Sequence, residues 1–143
     1  MLTPATPKDI KKVFNWRNSP GIMSMGNGQK VSWSEHAQWF NSVLSDKNKL
    51  LLIIDECGTV RLEREGKQCE ISVYVSEHMR GQGLGKAAIK EATRLAFVTW
   101  DVDEVFARVK WDNMTSNYMF RSCSYIPNGD IFASYFVLVN REK

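Results

Sequence analysis

The sequence predicts a single domain of the mixed α/β class, and three observations predict it. Leu50 to Ile54 is a continuous apolar run of strand length, and Ile71 to Val75 alternates as a strand does. A glycine-rich turn, Arg80-Gly81-Gln82-Gly83-Leu84-Gly85, then opens an amphipathic helix. With 143 residues, 43% hydrophobic and 24% charged, the chain can bury one good core and is too short for two ordinary domains. Residues 1–143 are therefore read as one unit.

Thr6-Pro7 has the form of a helix N-cap with proline at the first helical position, and Ile10, Val13 and Phe14 follow at helical spacing to about Asn18. Ser19-Pro20-Gly21 breaks that helix, and Ile22 to Lys30 is polar, non-periodic and suited to a loop over a site. Ser32-Trp33-Ser34-Glu35 fits a capping box, and His36, Trp39, Phe40 and Val43 share one face of the helix it starts, which ends near Asp46. Leu50 to Ile54 reads as a strand buried on both faces, turned by Glu56-Cys57-Gly58 into a second strand over Val60 to Glu63. A third covers Glu70 to Val75, with Ile71, Val73 and Val75 on one face and Ser72 and Tyr74 on the other. The next helix turns Leu84, Ala88, Ala92, Leu95 and Ala96 inward and exposes Lys86, Lys90 and Arg94. Val105 to Val109 is a strand, Met114 to Cys123 a short helix and Ser134 to Val139 a last strand. The order α α β β β α β α β contains no repeats and defines an α/β sandwich.

Composition excludes several classes. Nineteen Lys and Arg against sixteen Asp and Glu give a net charge of +3 without a long cationic block, so a nucleic-acid partner is not expected. Cys57, Cys69 and Cys123 are odd in number and lack metal-ligand spacing, which argues against a disulfide framework or a zinc site. The first residues have no signal pattern and no apolar run approaches membrane-spanning length, so the expectation is a cytoplasmic protein with no membrane partner.

The glycine turn is the most informative feature. Its glycines let consecutive N–H groups approach an anion, and the helix behind them aims its positive dipole end at the same point. A Rossmann site would place this motif early in the chain with an acidic residue about 20 positions on, and a P-loop would need Gly-Lys-Ser/Thr. Neither pattern is present. A diphosphate is the ligand such a cradle suits best.

The pieces together resemble the GNAT acetyltransferase superfamily across essentially the whole chain. Arg80, Gly83 and Gly85 match its Gln/Arg-x-x-Gly-x-Gly/Ala directly after a strand, and Asn113 and Ser116 match its Asn-x-x-Ser after the next strand. The resemblance implies a mixed, mostly antiparallel, splayed central sheet flanked by helices, with acetyl-CoA as cofactor. It implies that a bulged central strand binds the pantetheine arm through the backbones of Val73 and Val75. Residues Gly81, Gln82, Gly83, Leu84, Gly85 and Lys86 would hold the diphosphate, with Arg80, and Asn113 and Ser116 would line the far side of the arm. Trp16-Arg17-Asn18, Ile22, Met25, Asn27, Val31-Ser32 and His36 further resemble the members that acetylate 4-amino groups of nucleotide-linked deoxysugars. Members that acetylate protein N-termini share the Trp-Arg-Asn-like helix end and stand as the alternative.

One departure bears on chemistry. The family's helix often carries a tyrosine that protonates the departing thiolate, followed by Gly-Phe; here Phe120 and Ser124-Tyr125 stand in those places. Tyr118 is the substitute acid, and its absence from the usual position keeps a non-catalytic CoA-binding module open as a second alternative. Glu70, at the start of the central strand, is the candidate base for the acceptor amine, and a backbone N–H near Val75 is placed to polarise the thioester carbonyl. His36 offers a second base, since an unperturbed histidine titrates near about 6.5. Arg17 and Arg61, with Lys30, suit a nucleotide-sugar diphosphate, whereas Met23, Trp16 and Trp33 offer surfaces for a sugar or base ring. The acceptor side thus comprises Arg17, Asn18, Met23, Asn27, His36 and Arg61. Either a monomer or a homodimer is compatible with the sequence.

Overall fold

The computed structural model describes residues 2–19, 30–76, 80–81, 83–110, 112–127 and 133–139, with backbone alone for 133–137. A short strand β1 (Leu2–Pro4) precedes a 3-10 turn (Pro7–Asp9), helix α1 (Ile10–Arg17) and helix α2 (Trp33–Ser45). Strands β2 (Lys49–Ile54), β3 (Gly58–Glu65) and β4 (Gln68–Val75) follow, then helix α3 (Leu84–Trp100), β5 (Glu104–Lys110), helix α4 (Met114–Ser122), β6 (Ile126–Pro127) and β7 (Ala133–Val139). Among the described residues the strands form one seven-stranded sheet in the order β1-β2-β3-β4-β5-β7-β6. Every neighbouring pair is antiparallel except β4 and β5.

Local chemistry accounts for the helix starts. Thr6 accepts from the Lys8 N–H at 3.3 Å while Asp9 accepts from the Thr6 N–H at 2.9 Å, a reciprocal cap that satisfies donors left over at a helix start. Ser32 Oγ accepts from the Glu35 N–H at 3.2 Å and starts α2 where expected.

The sheet buries both faces. On one, Leu52, Ile54, Val60, Leu62, Cys69 and Ile71 pack under Ala88, Ile89, Ala92 and Ala96 of α3. On the other, Leu51 and Ile53 meet Val13 of α1 and Phe40 and Val43 of α2. Strand β2 thus buries residues of both parities, which is why it reads as an uninterrupted apolar run. Phe40, with no exposed surface, contributes roughly 1.5–3 kcal/mol by leaving water.

Two strands are additions to the sequence reading. β1 pairs Leu2 with Ile54, and β6 pairs Ile126 with Val137. Both lie at sheet edges and end in proline, which is tolerated there because an edge residue need not donate on its outer side.

The β4–β5 junction positions the site. β4 pairs with β3 along its whole length, from Gly58↔Val75 to Glu65↔Gln68, but with β5 only at Gln68↔Glu104, Cys69↔Val105 and Glu70↔Phe106. Beyond Glu70 the two strands part, and the sheet opens. The splay is as expected, whereas the β3–β4 register runs without the bulge that the family resemblance implied.

Candidate active site

A cavity of about 390 Å³ occupies the opening between β4 and β5, within the usual size range of ligand pockets. Val73, Tyr74 and Val75 form its sheet wall. Ser76 N–H donates to the Cys57 carbonyl at 2.7 Å, and because antiparallel ladder bonds recur at every second residue, Tyr74 and Ser72 also turn their backbone groups toward β3. Val73 and Val75 therefore turn theirs the other way, toward the opening. The Val75 carbonyl accepts from Arg80 Nε at 3.0 Å, so among the described residues the groups that β4 leaves for a ligand are the Val75 N–H and the backbone of Val73.

The glycine turn forms the second wall. Gly81 and Gly83 have φ of +81° and +76°, a region that costs an L-residue about 1–2 kcal/mol, and a Cβ on either would meet none of the described residues within 4 Å. Gly83 is the N-cap of α3 and supplies no side-chain acceptor, and the first helical bond runs from Ala87 N–H to the Gly83 carbonyl at 3.1 Å. The N–H groups of Leu84, Gly85 and Lys86 are thus helix-start donors without an intrahelical partner, on residues that line the cavity beside a positive dipole end. Gly85 has a different requirement: a Cβ there would lie 2.5 Å from Met119 Sδ, so its lack of a side chain lets α3 approach α4.

Helix α4 closes the third side with Asn113, Thr115, Ser116, Tyr118 and Met119. Asn113 Oδ1 caps the helix by accepting from the Ser116 N–H at 3.1 Å, a local reason for the Asn-x-x-Ser spacing that leaves the Asn113 amide nitrogen over. Phe120 points away into the core, 4% exposed and edge-on to Tyr125 at 5.1 Å. Tyr118 is 65% exposed at the rim, its ring 5.9 Å from Lys86 Nζ.

Glu70 lies outside the cavity wall, on the sheet face that carries α1 and α2. It is the last residue of β4 to pair with β5, at the vertex of the opening. Arg108 Nη1 is 3.7 Å from its carboxylate, and the directly opposed Glu63 is in turn 3.8 Å from Lys49 Nζ. Two facing carboxylates are therefore each flanked by a cation.

On the same face, Arg61 lies within electrostatic range of Arg17. Burial first, and Arg61 second, pull the Arg17 guanidinium below its ordinary pKa, with Glu35 acting in the opposite direction. Arg17 also stacks 4.2 Å above the Trp39 ring.

Two acceptor-side expectations are corrected by geometry. His36 is fully buried, with Nε2 2.7 Å from the Ile10 carbonyl and Nδ1 3.2 Å from Arg17 Nη1. The carbonyl requires a proton on Nε2, so Nδ1 accepts from Arg17, and neither nitrogen remains for a substrate. Asn18 likewise spends both ends of its amide on the backbone of Val31, at 2.7 and 3.1 Å. Met23, Asn27 and Gln82 lie outside the described residues. Of the remaining cofactor-side residues, Val73, Val75, Arg80, Gly81, Gly83, Leu84, Gly85, Lys86, Asn113 and Ser116 all meet in the one cavity. Tyr74, Thr115 and Met119 were missed, although Met119 stands three residues beyond Ser116 at helical spacing.

These features, a splayed sheet with a capless glycine turn at its opening, are matched by the comparisons with known proteins. A family profile described as Acetyltransferase (GNAT) domain matches residues 1–124, and the chain belongs to that family, an acyltransferase class that moves an acetyl group from acetyl-CoA to an amine. Among curated proteins it is 28% identical over 111 residues to Acetyltransferase PseH of Campylobacter jejuni, covering 74% of this chain and 69% of that protein. Among solved structures it matches spermidine N-acetyltransferase from Vibrio cholerae in complex with CoA and spermine, with a TM-score of 0.88 at 15% identity over 97% of this chain and 94% of the other. Ribosomal-protein-alanine N-acetyltransferase from Brucella melitensis matches with a TM-score of 0.84 at 18% identity, over 98% and 99%. At such identities the structural matches establish the fold. Among the described residues no helix is long and apolar enough to cross a membrane.

Proposed function

We propose that the chain acetylates the primary amine of a small, nucleotide-linked 4-amino-deoxysugar by direct attack in a ternary complex. Arg17 and Arg61 on the face that carries α1 and α2 support this reading most: Arg61 lies within electrostatic range of Arg17, and two cations so placed suit an anion. A nucleotide-sugar diphosphate is such an anion, and the similarity to PseH points to the same subgroup.

Acetyl-CoA supplies the activated acetyl group, and the open cradle fits its diphosphate. The amides of residues 84 to 86 and Lys86 neutralise phosphate charge, the backbone of Val73 aligns the arm, and the Val75 N–H polarises the carbonyl under attack. Glu70 accepts the proton from the acceptor ammonium, directly or through water, at the vertex where β4 and β5 part. Holding both substrates in the opening removes much of the entropic barrier to their encounter.

The test is thiol release from acetyl-CoA in the presence of UDP-linked 4-amino sugars, polyamines or N-terminal peptides. The expected result is release with the nucleotide sugar alone. Faster release with peptides would reassign the acceptor, and CoA binding without release from any amine would favour a binding module.

A further inference from the structure

We propose that Tyr118, with Met114 one turn before it, is a platform for the nucleoside end of CoA rather than the acid that protonates the leaving thiolate. The proposal rests on the cavity being the acetyl-CoA site. Both side chains are largely exposed, 65% and 72%, although both are large and apolar in most of their surface. They stand at i and i+4 on α4 and so form one continuous ledge. Such pairs on a free helix face ordinarily turn inward, and here the core side of α4 is already filled by Asn117 and Phe120.

The position of the ledge along the cavity decides its role. Lys86 Nζ stands 5.9 Å from the Tyr118 ring, and Lys86 belongs to the first turn of α3, beside the amides suited to the diphosphate. The thioester end of the donor runs from there into the β4–β5 opening, along the backbone of Val75 and Val73. Tyr118 therefore adjoins the phosphates, where the donor continues outward into its nucleoside. An exposed ring flanked by a cation suits a purine, whose flat face stacks on the ring while Lys86 meets phosphate charge. A proton donor for sulfur would need to sit at the buried end, within hydrogen-bond reach of the thiolate.

Affinities for CoA and for 4′-phosphopantetheine, which lacks the nucleoside, measured by calorimetry without any acceptor, test this independently of the acceptor's identity. Tyr118→Ala is expected to weaken CoA on the order of tenfold while phosphopantetheine binds as it does to the unmodified chain. Tyr118→Phe, which keeps the ring, is expected to restore CoA affinity. Equal weakening of both ligands, or of neither, would overturn the platform, as would a Tyr118→Phe enzyme with normal CoA affinity and a collapsed kcat. Failure of the unmodified chain to bind CoA at all would instead indict the cavity assignment on which the proposal rests.

Discussion

Arg80 Nε donates to the Val75 carbonyl at 3.0 Å, and this single bond fastens the glycine turn to the last residue of the strand that walls the cavity. The two halves of the donor site, a strand that offers backbone groups and a turn that offers amides, thereby hold a fixed separation. Arg80→Met removes the tie and leaves the carbonyl to water. The expected outcome is a KM for acetyl-CoA raised on the order of tenfold, consistent with losing one charge-assisted hydrogen bond, with kcat changed much less. A kcat loss with unchanged KM would show instead that Arg80 acts at the reacting atoms.

Glu70→Gln tests the base. The amide keeps the size and shape of the carboxylate and gives up only a 3.7 Å ion pair with the largely exposed Arg108, so the fold is retained while proton acceptance is lost. Turnover is expected to fall about a hundredfold, and most at low pH where the acceptor amine is protonated. A pH–rate profile that keeps its shape in this variant would remove Glu70 from the mechanism.

His36 makes stability depend on pH. Burial first, and the Arg17 guanidinium as well, hold its pKa below the usual histidine value, against the hydrogen bond to the Ile10 carbonyl that works to raise it. Because the folded pKa is the lower one, the unfolded chain binds the extra proton, so stability is fully present above about pH 6.5 and is lost as pH falls through the folded value. The melting temperature should decline between pH 7 and pH 5 by about 3 to 5 °C for each kcal/mol lost. In His36→Gln the chain is expected to be less stable at pH 7, with that part of the slope gone; an identical slope would place the titrating group elsewhere.

Gly58 and Gly85 separate two kinds of crowding. At Gly85 a Cβ meets the flexible end of Met119, so Gly85→Ala should cost about 1–3 kcal/mol and narrow the cavity. At Gly58 it would lie 1.9 Å from the Tyr74 carbonyl oxygen, a backbone atom in the ladder beside the site. Gly58→Ala should therefore destabilise the chain more than Gly85→Ala in urea unfolding. The reverse order would contradict the close approach of β3 and β4.

Much of this site was legible in the sequence because its cofactor side is local. Arg80 to Lys86 form one contiguous segment, and Asn113 and Ser116 are one cap, so spacing alone brings them together. The acceptor side is assembled by topology. His36 looked free because no local pattern announces that the Ile10 carbonyl and Arg17 take up its two nitrogens. The charge row Lys49, Glu63, Glu70 and Arg108 spans four strands, and its members become neighbours only through register. The edge strands β1 and β6 were missed for a simpler reason: three and two residues are too few to show a period.

The central claim, that main-chain donors opening α3 anchor the diphosphate of the acetyl donor, is tested most directly by titrating CoA into the unmodified chain and into Gly83→Glu, with circular dichroism to verify folding. Saturable binding to the former and none to the folded variant is expected, because a carboxylate at that cap occupies the anion's place. Equal affinity in both would contradict the assignment.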